Sequence, residues 1–213
     1  MENRVLITIN RQFGSGGRII GEELAKHLQI ELVDQTILEE AAKIMNVKEG
    51  FLKKFDEKAP TVWSGVNQAY GMFQGMAIPY YQDPATNHEL YVTQTNIIQK
   101  IASKKSCVFI GRCANDILKN QPGCVRIYLY GPLEYRMRNV TELYGFRAEK
   151  DLKKEVKKKD KQRSDYYKVY TQEKWKDCSQ YDLMIDTQKL GIDGSVRLIL
   201  DYVKHKKVNQ LGL

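Results

Sequence analysis

The sequence predicts an α/β fold in which helices cover both faces of a parallel sheet, and three observations carry that prediction. Short apolar and β-branched runs (VLITI, CVFIG, VRIYLY and YDLMID) recur along the chain with helix-like stretches between them, an alternation typical of a buried parallel sheet. The first run leads into three glycines within four residues, Gly14, Gly16 and Gly17, and then into a helical pattern. The chain has 213 residues, 42% of them hydrophobic and 28% charged, enough for one sizeable core or one core with a small appended lobe.

Taken in order, residues 5–9 read as a buried central strand, and Ile20, Leu24 and Leu28 recur at helical spacing after the glycines. Leu32 and Val33 form a short apolar patch that admits a further strand over 31–33. Thr36 and Glu39 have the spacing of a capping box, which places helices at about 37–45 and 48–55. Neither period holds across 57–87, where Gly and Pro alternate with Trp63, Tyr70, Phe73, Tyr80 and Tyr81. A loop of that length without structure is rare in a compact domain, so short helices and turns over a cleft are expected there. Helical spacing returns over 88–103, with Leu90, Ile97, Ile98 and Ile101 on one face.

Strands are then expected over 107–111, 125–130 and 181–186. Helices are expected over 114–119, 132–144, from Ala148 onward, and over 193–204. Pro132 at a start and Gly145 just past an end fit the usual asymmetry of helix termini.

Composition excludes several classes. No apolar run approaches the roughly 20 residues of a membrane-spanning helix. The opening MENRVLITIN lacks the apolar stretch and cleavage site of a secretory signal, so a cytoplasmic location is expected. Cys107, Cys113, Cys124 and Cys178 have no metal-ligand or redox-motif spacing, and only His27, His88 and His205 are there to join them. They read as reduced thiols, and no metal site is expected in the protein itself.

The net charge of +8 favours anionic partners. Much of the excess lies in KDLKKEVKKKDKQR, residues 150–163, whose seven lysines between Lys150 and Lys161 read as a solvated helix face. A nucleic-acid patch is the competing reading, with Tyr166, Tyr167 and Tyr170 available to stack on bases. No recognised nucleic-acid module frames them, so nucleic acid is not the expected partner.

Strand, glycine turn and helix in succession bring backbone N–H groups together at the positive end of a helix dipole, which makes an anion site. Spacing alone also allows a simple tight connection. Against the phosphate-loop pattern G-x-x-x-x-G-K-[ST], Arg11 stands at the first glycine, Gly16 matches, Gly17 replaces the lysine and Arg18 the hydroxyl residue. The missing lysine contacts the transferring phosphates and the missing hydroxyl holds magnesium. Either the loop is catalytically inert or a nearby arginine supplies the lost charge.

The segment ITINRQFGSGGRIIGEELAKHL resembles the opening of the cytidylate kinase-like family, a branch of the nucleoside monophosphate kinases of the P-loop NTPase fold whose loop reads G-S-G-G-R. FIGRCANDIL is similar to that family's G-R-x-A-N segment, KKDKQRSDYYKVYT to its lid, and YDLMIDTQKLGID to its last strand and turn. The four fall in the family's order across residues 6–193.

The resemblance implies a single domain over 1–213 with a five-stranded parallel sheet, an acceptor-binding lobe over about 34–87 and a lid over about 144–175. It implies magnesium-dependent transfer of the ATP γ-phosphoryl group to a nucleoside monophosphate, with CMP or dCMP the favoured acceptor. Such transfer needs positioning and positive charge more than a nucleophile. Arg11, Gly14, Ser15, Gly16, Gly17 and Arg18 would hold the ATP phosphates, Arg18 standing in for the lysine. A cation at a positive helix end is ill placed unless an anion joins it.

Arg112, directly after a strand, would grip the acceptor phosphate as a fork, and Asp34, also at a strand end, would bind the acceptor sugar or base, hold a water on magnesium, or cap a helix. Asn115 would touch the acceptor or, as favoured here, cap the following helix. Arg163 and Asp160 would act from the lid. Arg136, with Arg138 its near neighbour, would lie by the donor base. Arg18, Arg112 and Arg163 are thus the expected catalytic residues. The lid is rich in lysine where cytidylate kinases have arginines, and Cys113 reads as a buried small residue. Alternatives are a kinase for another small metabolite, or a nucleotide sensor or nucleic-acid-binding protein with a degenerate loop.

Overall fold

The computed structural model describes residues 4–46, 57, 84–145 and 148–210. Five strands form one sheet: β1 (Leu6–Arg11), β2 (Glu31–Val33), β3 (Cys107–Ile110), β4 (Cys124–Tyr130) and β5 (Leu183–Asp186). Their order is β2-β3-β1-β4-β5 and every pairing is parallel. The described helices are α1 (Gly17–Leu28), α2 (Gln35–Ile44), α3 (Pro84–Ala102), α4 (Ala114–Ile117), α5 (Leu133–Tyr144), α6 (Glu149–Thr171) and α7 (Thr187–Gln210).

Alternation along the strands divides the core. Leu6, Cys107 and Phe109 face α2 and α3, where Ile37, Leu38, Leu90, Ile97, Ile98 and Ile101 are buried. Ile7, Ile9, Val108 and Ile110 face α1 and α7, meeting Ile20, Leu24, Val196 and Ile199. A period-2 strand with both faces apolar can be satisfied only by helices on each side. β1 is central, so the loop that leaves its carboxyl end opens between β3 and β4, where the strand order reverses and α/β sheets bind ligands.

Several expectations need correction. β1 runs two residues further than expected, through Asn10 and Arg11, because these pair with Tyr128 and Leu129 of β4. Arg11 therefore ends a strand and is not a loop residue. The Thr36–Glu39 capping box does not form: α2 starts at Gln35 behind Asp34, and the buried Thr36 hydroxyl has no hydrogen-bond partner. β5 begins at Leu183, since Tyr181 turns inward to Asn10.

The last helix starts earlier than expected, at Thr187, and is kinked at Gly191 (φ 65°). Tyr166 and Tyr167 are not available to stack on bases. They are buried with Tyr128, Trp175 and Tyr181, while the seven lysines between Lys150 and Lys161 lie at exposed positions, as a solvated face requires. The helix expected over 48–55 and the aromatic stretch from Trp63 to Tyr81 lie outside the described residues. Among the described residues no helix is long and apolar enough to cross a membrane.

Candidate active site

The loop between β1 and α1 is anchored through Gln12. Gln12 N donates to Leu129 O (2.9 Å), and its side-chain Oε1 accepts from Gly131 N (3.1 Å). The Ser15 hydroxyl is buried and donates to Gln12 O (2.9 Å). Gly14 (φ 82°) and Gly16 (φ 79°) are left-handed. At Gly14 a Cβ would also sit 2.4 Å from the Arg136 carbonyl oxygen, so both conformation and space require glycine. Gly16 is the N-cap of α1 with no side-chain cap, which leaves the first amides of the helix without internal acceptors.

Side chains from α5 and α6 fix this loop. Arg136 is buried, and its Nε donates to Gly131 O (2.9 Å) while its Nη1 donates to Phe13 O (2.9 Å) and to Asp160 Oδ2 (2.8 Å). Asp160 Oδ1 in turn accepts from Phe13 N (2.8 Å), and Asn139 Nδ2 donates to Gly14 O (2.8 Å).

Beside the loop, three arginines converge. Arg11 from β1 and Arg163 from α6 share the carboxylate of Glu57: Arg11 Nη1 donates to Oε1 (2.6 Å) and Arg163 Nε to Oε2 (3.2 Å). Arg163 Nη1 also donates to Arg11 O (3.0 Å). Arg112 follows β3 and donates its amide to Glu57 Oε1 (3.1 Å) and its Nη1 to Asp34 Oδ1 (2.9 Å). With Asn10, Cys113, Tyr166, Tyr167 and Trp175, these groups line one small pocket. Gly111, Arg112 and Cys113 have φ of 70°, 51° and 56°; consecutive left-handed residues are costly outside glycine and concentrate at functional sites.

Burial by itself would push the Glu57 carboxyl up, but Arg11 and Arg163 outweigh it and hold the group well below the usual carboxylate range. Desolvation, followed by repulsion from Arg11, pushes Arg163 down to about 10. Among the described residues one carboxylate, Glu57, lies between the guanidiniums of Arg11 and Arg163, and that trio keeps one positive charge in excess, which favours an anion.

The model of the cytidylate kinase-like family matches residues 6–189. The chain belongs to that family. Among curated proteins, the cytidylate kinase of Pyrococcus furiosus is 29% identical over 133 residues, covering 62% of this chain and 68% of its own length. The cytidylate kinase of Pyrococcus abyssi is 28% identical over 133 residues, or 62% and 72% of the two lengths. A solved structure of an uncharacterized protein from Eubacterium ventriosum superposes with a TM-score of 0.70 at 27% identity, over 94% of this chain and 99% of that one. The shikimate kinase of Acinetobacter baumannii shares the fold, with a TM-score of 0.52 at 15% identity over 97% and 96% of the two chains.

Within this cytidylate kinase-like chain, Arg112 and Arg163 stand together with Arg11, and not with Arg18, and Asp34 joins them through Arg112. Asp34 is the N-cap residue of α2, yet its side chain makes no cap bond. Asn115 caps nothing either. It lies inside α4, where its Oδ1 accepts from Asn10 Nδ2 (2.9 Å) and its Nδ2 donates to Tyr167 OH (2.8 Å). Arg18 stands apart, 57% exposed and paired with Glu22 Oε1 at 2.9 Å. Arg136 is spent on the loop backbone and Asp160, and Arg138 is exposed. Cys113 is buried, and burial pushes its thiol well above the ordinary range, so it carries no nucleophile.

Sequence reasoning assigned no role to Glu57, Asn139, Asn10 or Gln12. Asn10 carried a signal, as a polar residue at the end of a strand buried on both faces. Glu57 carried none, because it lies where neither period holds.

Proposed function

We propose that this protein transfers the γ-phosphoryl group of ATP to a nucleoside monophosphate, with CMP or dCMP as the favoured acceptor. The observation that carries the reading is the meeting of Arg11, Arg112 and Arg163 beside an uncapped glycine loop at the carboxyl ends of β1 and β3. The cytidylate kinases among its relatives support the choice of acceptor.

The loop fits a polyphosphate. Gly14 and Gly16 supply the left-handed backbone of the turn, and the first amides of α1 would face the negative charge. Ser15 and Gly17 complete the turn, and Arg11 and Arg163 supply charge from the flank. Among the described residues no three His, Cys, Asp or Glu side chains group to hold a metal. Magnesium needs no such cage, because it keeps several waters and is bound largely through substrate phosphates; when bound it would neutralise charge developing between donor and acceptor.

Arg112 would hold the acceptor phosphate, oriented by Asp34, and Asn115 would act through Asn10 and not on the acceptor directly. Arg18 would leave Glu22 to reach the phosphates. Exposed i,i+4 pairs are worth only about 0.3–0.5 kcal/mol, so the swing costs little. Arg136 would act through the loop and not on the donor base. α6 would serve as the lid helix, with Asp160 and Arg163 on its inner side. The chain's own work is then to bind both phosphates, align them and exclude water.

A coupled ADP-release assay with CMP, dCMP, UMP, AMP and a panel of non-nucleotide hydroxyl acceptors, each with and without magnesium, tests this. Turnover with CMP or dCMP that requires magnesium is expected. Turnover confined to a non-nucleotide acceptor would overturn the assignment, and ATP binding without any transfer would favour a sensor.

A further inference from the structure

Among the described residues that line the pocket, the one acid is Glu57. Glu57 is far from its partners in sequence, yet both carboxylate oxygens are committed: Oε1 accepts from Arg11 Nη1 and the Arg112 amide, and Oε2 from Arg163 Nε. A second, independent feature is built around it. At Gly111 (φ 70°) a Cβ would fall 1.8 Å from Glu57 Oε1 and 2.1 Å from Arg11 Nη1, so the turn after β3 keeps a side-chain-free space for the carboxylate and guanidinium. The Arg112 amide reaches Oε1 from a left-handed residue, φ 51°. The same bond therefore fixes the turn that aims the Arg112 side chain.

We propose that Glu57 is a positioning residue: its carboxylate spans Arg11, Arg163 and the Gly111–Arg112 turn, and so assembles the three guanidiniums before any phosphate arrives. Two guanidiniums in one small, largely buried pocket repel each other, and the Glu57 carboxylate between them lets both stay while the trio keeps one positive charge in excess. Glu57 uses Nη1 of Arg11 and the Nε of Arg163, whose Nη1 goes to Arg11 O, so among the described residues the Nη2 of each guanidinium is left to offer to a ligand. Preformed charge of this kind spares reorganisation at the moment of reaction.

This inference rests on the phosphotransferase reading, and its test separates the two. The wild-type protein, Glu57→Gln and Glu57→Asp are compared by the rise in melting temperature that inorganic pyrophosphate produces, and by steady-state kinetics with ATP and the best acceptor. In Glu57→Gln the pyrophosphate shift is expected to fall by more than half, and kcat to fall about tenfold or more with a smaller change in either KM. Glu57→Asp keeps the charge one methylene short and is expected to recover part of both.

A pyrophosphate shift that is unchanged or larger in Glu57→Gln would overturn the proposal, because the carboxylate would then be a competitor of the anion; so would an unaltered kcat. Should Glu57→Gln lose its cooperative melt, Glu57→Asp decides by the same criteria. If the wild type turns over no acceptor, the function reading fails, while the pyrophosphate shifts still decide the role of Glu57.

Discussion

Arg136 and Asp160 meet at 2.8 Å and share the backbone of one residue, Phe13, whose carbonyl accepts from Arg136 and whose amide donates to Asp160. Two helices, α5 and α6, thereby grip the glycine loop at a single residue, through the peptide units on either side of it. The shape of the loop depends on residues more than 120 positions away.

Replacing Asp160 by Asn keeps the size but removes the charge facing buried Arg136. Hydrogen bonds to charged groups contribute roughly 1.5–3 kcal/mol, and a loss of that order in urea-induced unfolding is expected. ATP affinity should fall with it, since the loop loses one of its holds.

Arg112 is 3% exposed and held by Asp34. Arg112→Lys keeps the charge but not the planar fork, a poor exchange where a phosphate is gripped by two nitrogens. The expected result is a loss of about a hundredfold in kcat/KM for the acceptor, with the KM for ATP little changed. Equal losses for both substrates would place Arg112 elsewhere in the reaction.

Arg18 offers the opposite contrast. Its pair with Glu22 is exposed, so Arg18→Ala should change the melting temperature by no more than a degree or so, given about 0.3–0.5 kcal/mol for such pairs. A fall in kcat of about tenfold or more is expected nonetheless. Retained activity would return the loop's missing charge to Arg11 and Arg163.

Asn115 links Asn10 to Tyr167 in the interior, and Asn10 also donates to Tyr181 OH (3.0 Å), whose hydroxyl donates to Trp175 O (2.7 Å). Asn115→Ala leaves Asn10 and Tyr167 each short of a partner. A destabilisation of about 2–3 kcal/mol is expected from equilibrium denaturation, whereas Tyr181→Phe should cost about 1 kcal/mol more than a neutral surface change.

Stability against pH tests the charge at Glu57. Its folded-state carboxyl lies below the ordinary 4.5, so the proton is bound more tightly in the unfolded chain. The stabilisation is therefore complete above about pH 4.5 and is lost progressively as pH falls below it, toward the lower folded-state value. Denaturation free energies measured between pH 7 and pH 3 should fall more steeply for the wild type than for Glu57→Gln over the acid part of that range.

Local information determined much of this protein. The apolar runs fixed the strands, the glycine cluster fixed the turn after β1, and Gly145 closed α5, because strand burial, positive φ and helix termination are properties of a few neighbouring residues. The motif order also pointed to Arg112 and Arg163, together with Arg18, which stands apart from them. Tertiary structure alone decided how these charges are paired. Asp34, read either as an acceptor contact or as a helix cap, makes no cap bond and is the partner of Arg112, and Asn115, expected as a cap, is a buried bridge. Arg136 turned from a ligand contact into a support for the loop, and Glu57 emerged from a stretch without periodicity. Each of those outcomes is a competition among partners distant in sequence, settled by which donor or acceptor is closest once water has been removed.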